Sequence, residues 1–358
     1  MMRSIGYFLI TAFICTLAIE LYIRGTEISG VSETDYDKEI GRVIRPNAKI
    51  VHYNENFTYS QVNKYGYLGP SYSPDKAPGI FRVALLGDSY VEGFQVLERH
   101  HFRTILEEEL RENLKYDSVE ILNFGRSGFG LADAYAYDLN FVSEFDPDLK
   151  VYLLSAIDFY KSSGDELLPK WKLKGEELIQ DTSYRSSKEL KLYNTVKVGL
   201  QHSATLQMLR NCVNIIRDGK AMEVLLGKLS KLFIDSEVQP LHDNEKRKKL
   251  VKEELPQIPD VILEKLGKQK DVIIANRDSI QFPQHLQQEI TQANIKLVNL
   301  SDTLSPLKQD RHLDPRYWPV TNTKGHWNYR AHQAVGEYLT KILVKQINTE
   351  SLELGYKK

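Results

Sequence analysis

Ser89 closes the string Gly87-Asp88-Ser89, where a short apolar run gives way to a helical pattern. A hydroxyl at such a junction projects from the carboxyl edge of a sheet toward a helix N-terminus, whose unpaired N–H groups can stabilise a developing oxyanion. Ser89 is therefore a candidate nucleophile. The same string also serves as an ordinary turn, with Gly for positive φ and Asp or Ser as cap, so the serine needs partners before it has a chemistry. His326, in Gly325-His326-Trp327-Asn328, lies on a loop just before the last helix and off its apolar face, where an imidazole is free to act as a base. Gly125, in the glycine-rich stretch NFGRSGFG at 123–130, can turn its N–H to the same edge as an oxyanion donor or can simply make a tight turn. A hydroxyl, an imidazole and backbone donors are the parts needed for nucleophilic acyl transfer. Most other histidines, His100, His101 and His242 among them, stand in polar helix-like or linker sequence and read as solvated.

The elements that must position these groups alternate regularly. Residues 83–86 are an apolar run ended by Gly87, and Phe102, Ile105, Leu106, Leu110 and Leu114 follow at helical spacing, as expected of strand, turn, helix. Residues 119–122 form a second strand and 131–141 its helix; 151–155 form a third strand. The grammar resumes with strands at 271–276 and 295–300 around a helix at 284–293. Runs apolar on both faces belong to a parallel sheet covered by helices on each side, so an α/β fold with a mostly parallel five-stranded sheet is expected. Between them, 159–270 reads as a helical insertion, with helix-compatible segments at 205–216 and 221–233 and a charged stretch at 244–255 that suits a solvated helix face. In the final helix Asn328 is placed to cap, and Ala331, Val335, Tyr338, Leu339, Ile342 and Leu343 line one face.

Composition narrows the class of function. Lys and Arg number 47 against 48 Asp and Glu, a net charge of -1, so no basic field gathers nucleic-acid phosphates. The two cysteines, Cys15 and Cys212, cannot staple the folded part, and with neither CxxC nor HExxH no metal site is expected. No cofactor is called for. Residues 5–23 are apolar except for Thr11, Thr16 and Glu20, with Arg3 before and Arg24 after. No small-x-small cleavage site stands out, so an uncleaved membrane anchor is preferred to a signal peptide or a buried core helix, with Glu20 near the outer interface. Arg3 then stays cytoplasmic and the rest of the chain is extracytoplasmic, periplasmic or at the cell surface. The division expected is an anchor at 1–24, a linker and lead-in at 25–80, the main domain at 81–345 and a polar tail at 346–358.

Three strings in this order, GDSYVEGFQV at 87–96, NFGRSGFG at 123–130 and GHWNYRAHQAVGEYL at 325–339, resemble the SGNH/GDSL hydrolase family, over roughly residues 40–345. The lead-in VNKYGYLGPSYSPDKAPGIFRVALLGDS is similar to that of membrane-anchored bacterial members. The resemblance implies a flavodoxin-like three-layer α/β/α sandwich and cleavage of acyl esters. It implies Ser89 as nucleophile, His326 as general base, and the Ser89 and Gly125 N–H groups as oxyanion donors.

Two family positions are filled differently. The third block reads SAIDFY, which puts Ile157 where an oxyanion Asn would stand, although Asp158 remains; losing one such donor typically costs about 10²–10³ in rate. Thr323 and Lys324 occupy the positions from which a carboxylate would orient the histidine; Asp310, Asp314 or a backbone carbonyl are the alternatives. Tyr90 replaces the Leu of the GDSL string. Three functions fit: a membrane-anchored extracytoplasmic ester hydrolase, an O-acyltransferase acting on a cell-surface glycan, and a catalytically silent module that binds a glycan or protein.

Overall fold

The principal strands, in chain order, are β1 (Lys49–His52), β2 (Thr58–Gln61), β3 (Ile80–Gly87), β4 (Ser118–Gly125), β5 (Leu149–Leu154), β6 (Lys170–Lys174), β7 (Glu177–Asp181), β8 (Val272–Asn276) and β9 (Lys296–Asn299). The principal helices are α1 (Met2–Thr26), α2 (Ser89–Glu92), α3 (Phe102–Asn113), α4 (Leu131–Asn140), α5 (Lys188–Gln201), α6 (Ala204–Arg217), α7 (Gln257–Gly267), α8 (Gln284–Gln292) and α9 (Tyr329–Glu353). This computed structural model describes residues 2–26, 34–37, 39–52, 55–161, 167–175, 177–201, 203–217, 254–269, 271–309 and 313–353. Two compact units divide the chain, Met1–Asp35 with Ser186–Gln239 and Tyr36–Arg185 with Pro240–Lys358.

The larger unit is built on a five-stranded parallel sheet in the order β9-β8-β5-β3-β4. All five strands expected from the apolar runs are present. Side chains alternate across the pleat: Ala84, Leu86, Leu122, Phe124, Tyr152, Leu154 and Ile274 enter one core, with Leu131 and Ala134 of α4, Ile262 and Leu266 of α7, and Leu286 of α8. Val83, Leu85, Ile121, Val151, Leu153, Ile273 and Ala275 enter the other, with Phe102 and Leu106 of α3 and Val335 and Leu339 of α9. Covering both faces makes three layers, α/β/α, and explains why these strands carry no polar alternation. Each core leucine here is buried, so truncating one to alanine costs about 2–5 kcal/mol.

Register brings the strand ends together. Gly87 lies opposite Gly125 on one side and Leu153 on the other, and Leu154 lies opposite Asn276. The residues that follow, Asp88 and Ser89, Arg126, Ser155 and Arg277, therefore emerge along one carboxyl edge.

Three stretches differ from the expectation. The lead-in is not merely irregular, since β1 and β2 pair antiparallel and hold Glu55 between them. Within 159–270, β6 and β7 form an antiparallel pair, which the alternation KWKLK encodes; 221–233 and most of 244–255 lie outside the described residues. The tail begins later than 346, because α9 runs on to Glu353 and buries Ile347. The smaller unit contains α1, α5 and α6. Among the described residues, Ser4–Thr26 is the one stretch of helix long and apolar enough to cross a membrane, and its apolar window is unburied.

Candidate active site

Asp88 begins the site. Its carboxylate accepts from the Tyr90 N–H at 3.0 Å and so caps α2, while its other oxygen meets Arg277 at 2.7 Å. Capping sets the serine at the first position of α2, where a backbone N–H has no intrahelical acceptor; the Ser89 N–H makes no hydrogen bond. The helix lasts one turn and stops at Gly93, whose φ of 69° is left-handed. Ser89 is half-buried.

The Ser89 hydroxyl lies 2.8 Å from His326 Nε2. The two residues are 237 positions apart in the chain and meet at the sheet edge. His326 is fixed from several sides: its ring packs against Tyr90 at 4.8 Å, and its carbonyl accepts from Trp318 Nε1 at 3.0 Å. Asn328 caps α9 by accepting from the Ala331 N–H at 3.1 Å.

The group on the far side of the imidazole is one that the sequence reading does not name. Glu55 Oε1 lies 2.7 Å from His326 Nδ1 and also accepts from the His326 backbone N–H at 2.8 Å. Its second oxygen stands 3.2 Å from His52 Nε2. Burial pushes the Glu55 carboxyl up, but hydrogen bonds from His326 and His52 outweigh it and hold the group well below the usual carboxylate range. Glu55 is thus an anion beside an imidazole whose other nitrogen faces a hydroxyl. The stretch carrying it is tied down by Asn56, which donates to the Gln95 carbonyl and to the Tyr329 hydroxyl, and by Thr58, which donates to the Phe94 carbonyl.

The carboxylates proposed from sequence fall elsewhere. Asp314 forms an ion pair with Lys324 at 2.9 Å and accepts from the Arg316 N–H at 2.9 Å, so it serves its own loop. Asp310 lies outside the described residues. Glu55 escaped notice because it sits 271 positions before the histidine, in polar sequence without periodicity. The only local signal is the pair His52 and Glu55, three residues apart.

Gly125 also has a different role from the one expected. Its N–H donates to Asn123 Oδ1 at 3.1 Å and is not free for an oxyanion. A Cβ there would come within 2.2 Å of the Glu92 nitrogen, so this glycine lets α2 lie on the end of β4. In the loop that follows, Arg126 N donates to the Gly87 carbonyl, Ser127 N to Glu92, and Phe129 N to the Arg126 carbonyl. Gly128, with φ of 90° and an exposed backbone, keeps an N–H without an acceptor.

At the third block, Ile157 is half-buried in a short turn that Ser155 and Asp158 close by mutual capping. Arg277, which follows β8, joins the strand ends electrostatically. Its guanidinium reaches Asp88 at 2.7 Å, Ser155 Oγ at 3.3 Å and Asp158 at 3.6 Å, and lies 4.1 Å from the Tyr90 ring centre. Burial pushes Asp158 up, against the pull of Arg277, and the nearby Asp88 carboxylate adds to the rise. Beyond this turn lies a cavity of about 450 Å³, mainly apolar, lined by Phe159, Tyr160, Trp171 and Ile258 and bordered by the start of α4. Of the histidines read as solvated, His101 is instead fully buried and caps α3, and His242 lies outside the described residues.

Several solved structures similar to this chain carry lipolytic, esterase or lipase titles. A member of the lipolytic protein G-D-S-L family from Veillonella parvula matches at 11% identity and a TM-score of 0.36, covering 74% of this chain and 99% of its own. An acetyl xylan esterase matches at 13% and 0.37, covering 74% and 100%. A lipase/acylhydrolase from Enterococcus faecalis matches at 10% and 0.35, covering 74% and 96%. No family model and no curated protein matches. At such identities and scores, the fold rests on the sheet order and the two cores described above.

Proposed function

We propose that this chain is a membrane-anchored SGNH/GDSL-type serine esterase in which Ser89, His326 and Glu55 act as a triad. The observation that carries the reading is the unbroken line of contacts from hydroxyl to imidazole to carboxylate, 2.8 Å and then 2.7 Å. His326 Nε2 takes the Ser89 proton as the oxygen attacks an ester carbonyl, and Glu55 holds the ring in the productive tautomer and stabilises the imidazolium. The tetrahedral oxyanion falls to the Ser89 N–H and, in place of Gly125, to the Gly128 N–H. Protonated His326 then passes its proton to the leaving alkoxide, and a water activated by the same imidazole releases the acyl group from Ser89.

A carboxylate held on the imidazole favours an enzyme over a silent binding module, which has no need of an activated hydroxyl. The apolar Ser4–Thr26 supports an anchor, with Arg3 on the cytoplasmic side and the esterase outside. A fluorophosphonate probe on the full chain in detergent is expected to label Ser89 and to fail with Ser89→Ala or His326→Ala. A folded wild-type protein that stays unlabelled and does not hydrolyse short-chain p-nitrophenyl esters would reject the esterase. A reporter fused after the last residue is expected to read as extracytoplasmic.

A further inference from the structure

We infer that α5 and α6 form a bilayer-binding surface, docked by Glu20 of the apolar helix and lying along the lipid headgroup boundary. This surface presupposes the anchor proposed above, and the experiment below separates the two.

Glu20 is the one acidic residue within the apolar stretch 5–23. A carboxylate at that depth must find partners or reach water. Here it is clamped on the start of α6: the Ala204 N–H donates to it at 2.8 Å, the Thr205 N–H at 2.9 Å, the Thr205 hydroxyl at 2.8 Å and the Ser203 hydroxyl at 3.0 Å. Arg24, one turn on, adds an ion pair at 2.7 Å. Four hydrogen bonds from a distant part of the chain to a residue of the apolar helix make that helix a structural member of this unit, which a segment destined for removal has no reason to be.

Depth follows from the rise per residue. From Ser4 to Glu20 a helix climbs about 24 Å, most of a hydrocarbon core of about 30 Å. The N-terminus of α6 is thereby held near the hydrocarbon–headgroup boundary. With 14 residues, among them Gln207, Arg210, Asn211 and Asn214, α6 is too short and too polar to cross. A helix starting at this depth and unable to span lies in the interface if it has an apolar side to bury. It has one. Leu206, Leu209 and Val213, spaced three and four apart, share a face and are 48%, 52% and 58% exposed, while Ala204 and Gln207 turn inward. The neighbouring α5, which packs on α6, exposes Leu192 and Val196 one turn apart. The attachment of α6 to a membrane helix at Glu20 names the occupant of this stripe as lipid.

The test uses the full chain in nanodiscs of phosphatidylcholine with a minority of phosphatidylglycerol. An environment-sensitive dye is placed at Leu209→Cys or Val213→Cys after Cys15→Ser and Cys212→Ser; separately, aqueous maleimide is offered to native Cys15 with Cys212→Ser. The expected result is a Cys15 that reacts only after detergent, and dyes that resist iodide several-fold better than a glutathione conjugate and are quenched by doxyl lipid labelled near the headgroup. Shielded Cys15 with dyes as iodide-sensitive as the conjugate overturns the surface and leaves the anchor standing. Dyes shielded from both iodide and doxyl lipid mean that protein covers the stripe, which also overturns it. Reactive Cys15 without detergent removes the anchor and the surface together. In Glu20→Leu, which keeps the span apolar, the dyes are expected to become iodide-sensitive while Cys15 stays shielded; unchanged dyes would overturn the clamp.

Discussion

A single oxygen of Glu55 accepts from both the ring and the backbone of His326, at 2.7 Å from Nδ1 and 2.8 Å from the main-chain nitrogen. The pair of contacts fixes where the loop carries the imidazole and how the ring is rotated, so the carboxylate positions the proposed base. Glu55→Gln keeps the size but can present an amide N–H to Nδ1, favouring the wrong tautomer. We expect kcat on p-nitrophenyl acetate to fall by about 10³–10⁴, with KM little changed, since an orienting carboxylate in comparable triads contributes on that scale. Activity within a few-fold of wild type would remove Glu55 from the triad.

Gly325 gives a second, independent test of the same contact. A Cβ added there would lie 1.9 Å from Glu55 Oε1, and the three nearest atoms all belong to the Glu55 side chain. Because the end of a flexible side chain can move aside, Gly325→Ala is expected to fold with a melting temperature close to wild type while displacing the carboxylate from His326. The measurement is kcat beside a thermal melt: a drop of about tenfold or more without loss of stability is the expected pattern, within the range for losing oriented acid–base catalysis. A large stability loss with unchanged turnover of the folded fraction would contradict it.

The sheet was legible because burial on both faces writes uninterrupted apolar runs, and 83–86, 119–122 and 151–155 each became a strand. Sequence singled out Ser89 and His326 because each stands at or just before the start of a helix, one or two residues after a glycine, and the structure brings the two side chains to 2.8 Å. Glu55 was not, since nothing local distinguishes a carboxylate that finds its partner only through the return of β1 and β2. The same blindness misplaced Gly125: sequence reveals that a glycine is needed, but not whether its N–H or its missing Cβ is the reason. His101 was misread because its flanking Arg99, His100 and Arg103 look solvated, whereas its ring turns inward against Phe102 and His332.

Arg277 should be a stability residue. Its side chain is 11% exposed and meets Asp88, which is 8% exposed, with Asp158 and Asp278 close by. Arg277→Met keeps most of the apolar volume against Tyr90 but leaves these carboxylates without their cation. Breaking a buried pair from one side costs about 3–5 kcal/mol, so a clear drop in the denaturant midpoint is expected at neutral pH. A midpoint equal to wild type at pH 7 would show that the ion cluster contributes nothing.

His101 and His332 set a pH dependence of stability that is separate from catalysis. Their rings lie 4.7 Å apart, both fully buried; His101 Nδ1 accepts from the Arg103 N–H and His332 Nδ1 from the Phe102 N–H, so each is held in the neutral form. Burial, helped by the Arg103 charge, pulls His101 down to about 3, and burial with its histidine neighbours pulls His332 well below the usual range. For a group depressed in the folded state, the unfolded chain takes up protons that the folded chain refuses. Stability is therefore full above the unfolded value of about 6.5 and is lost as pH falls below it, by about 1.4 kcal/mol per pH unit for each histidine. Glu55, depressed as a carboxylate, adds its own loss only below about 4.3, while Asp158, pushed up by burial, works in the opposite sense as pH falls, so the histidine contribution is read from the difference between variant and wild type. His101→Asn retains an N-cap acceptor for the Arg103 N–H and removes one titration. Stability against denaturant from about pH 6.5 down to about 4.5 should fall less steeply with acid in His101→Asn than in wild type; parallel curves would mean that the ring is protonated in the folded protein.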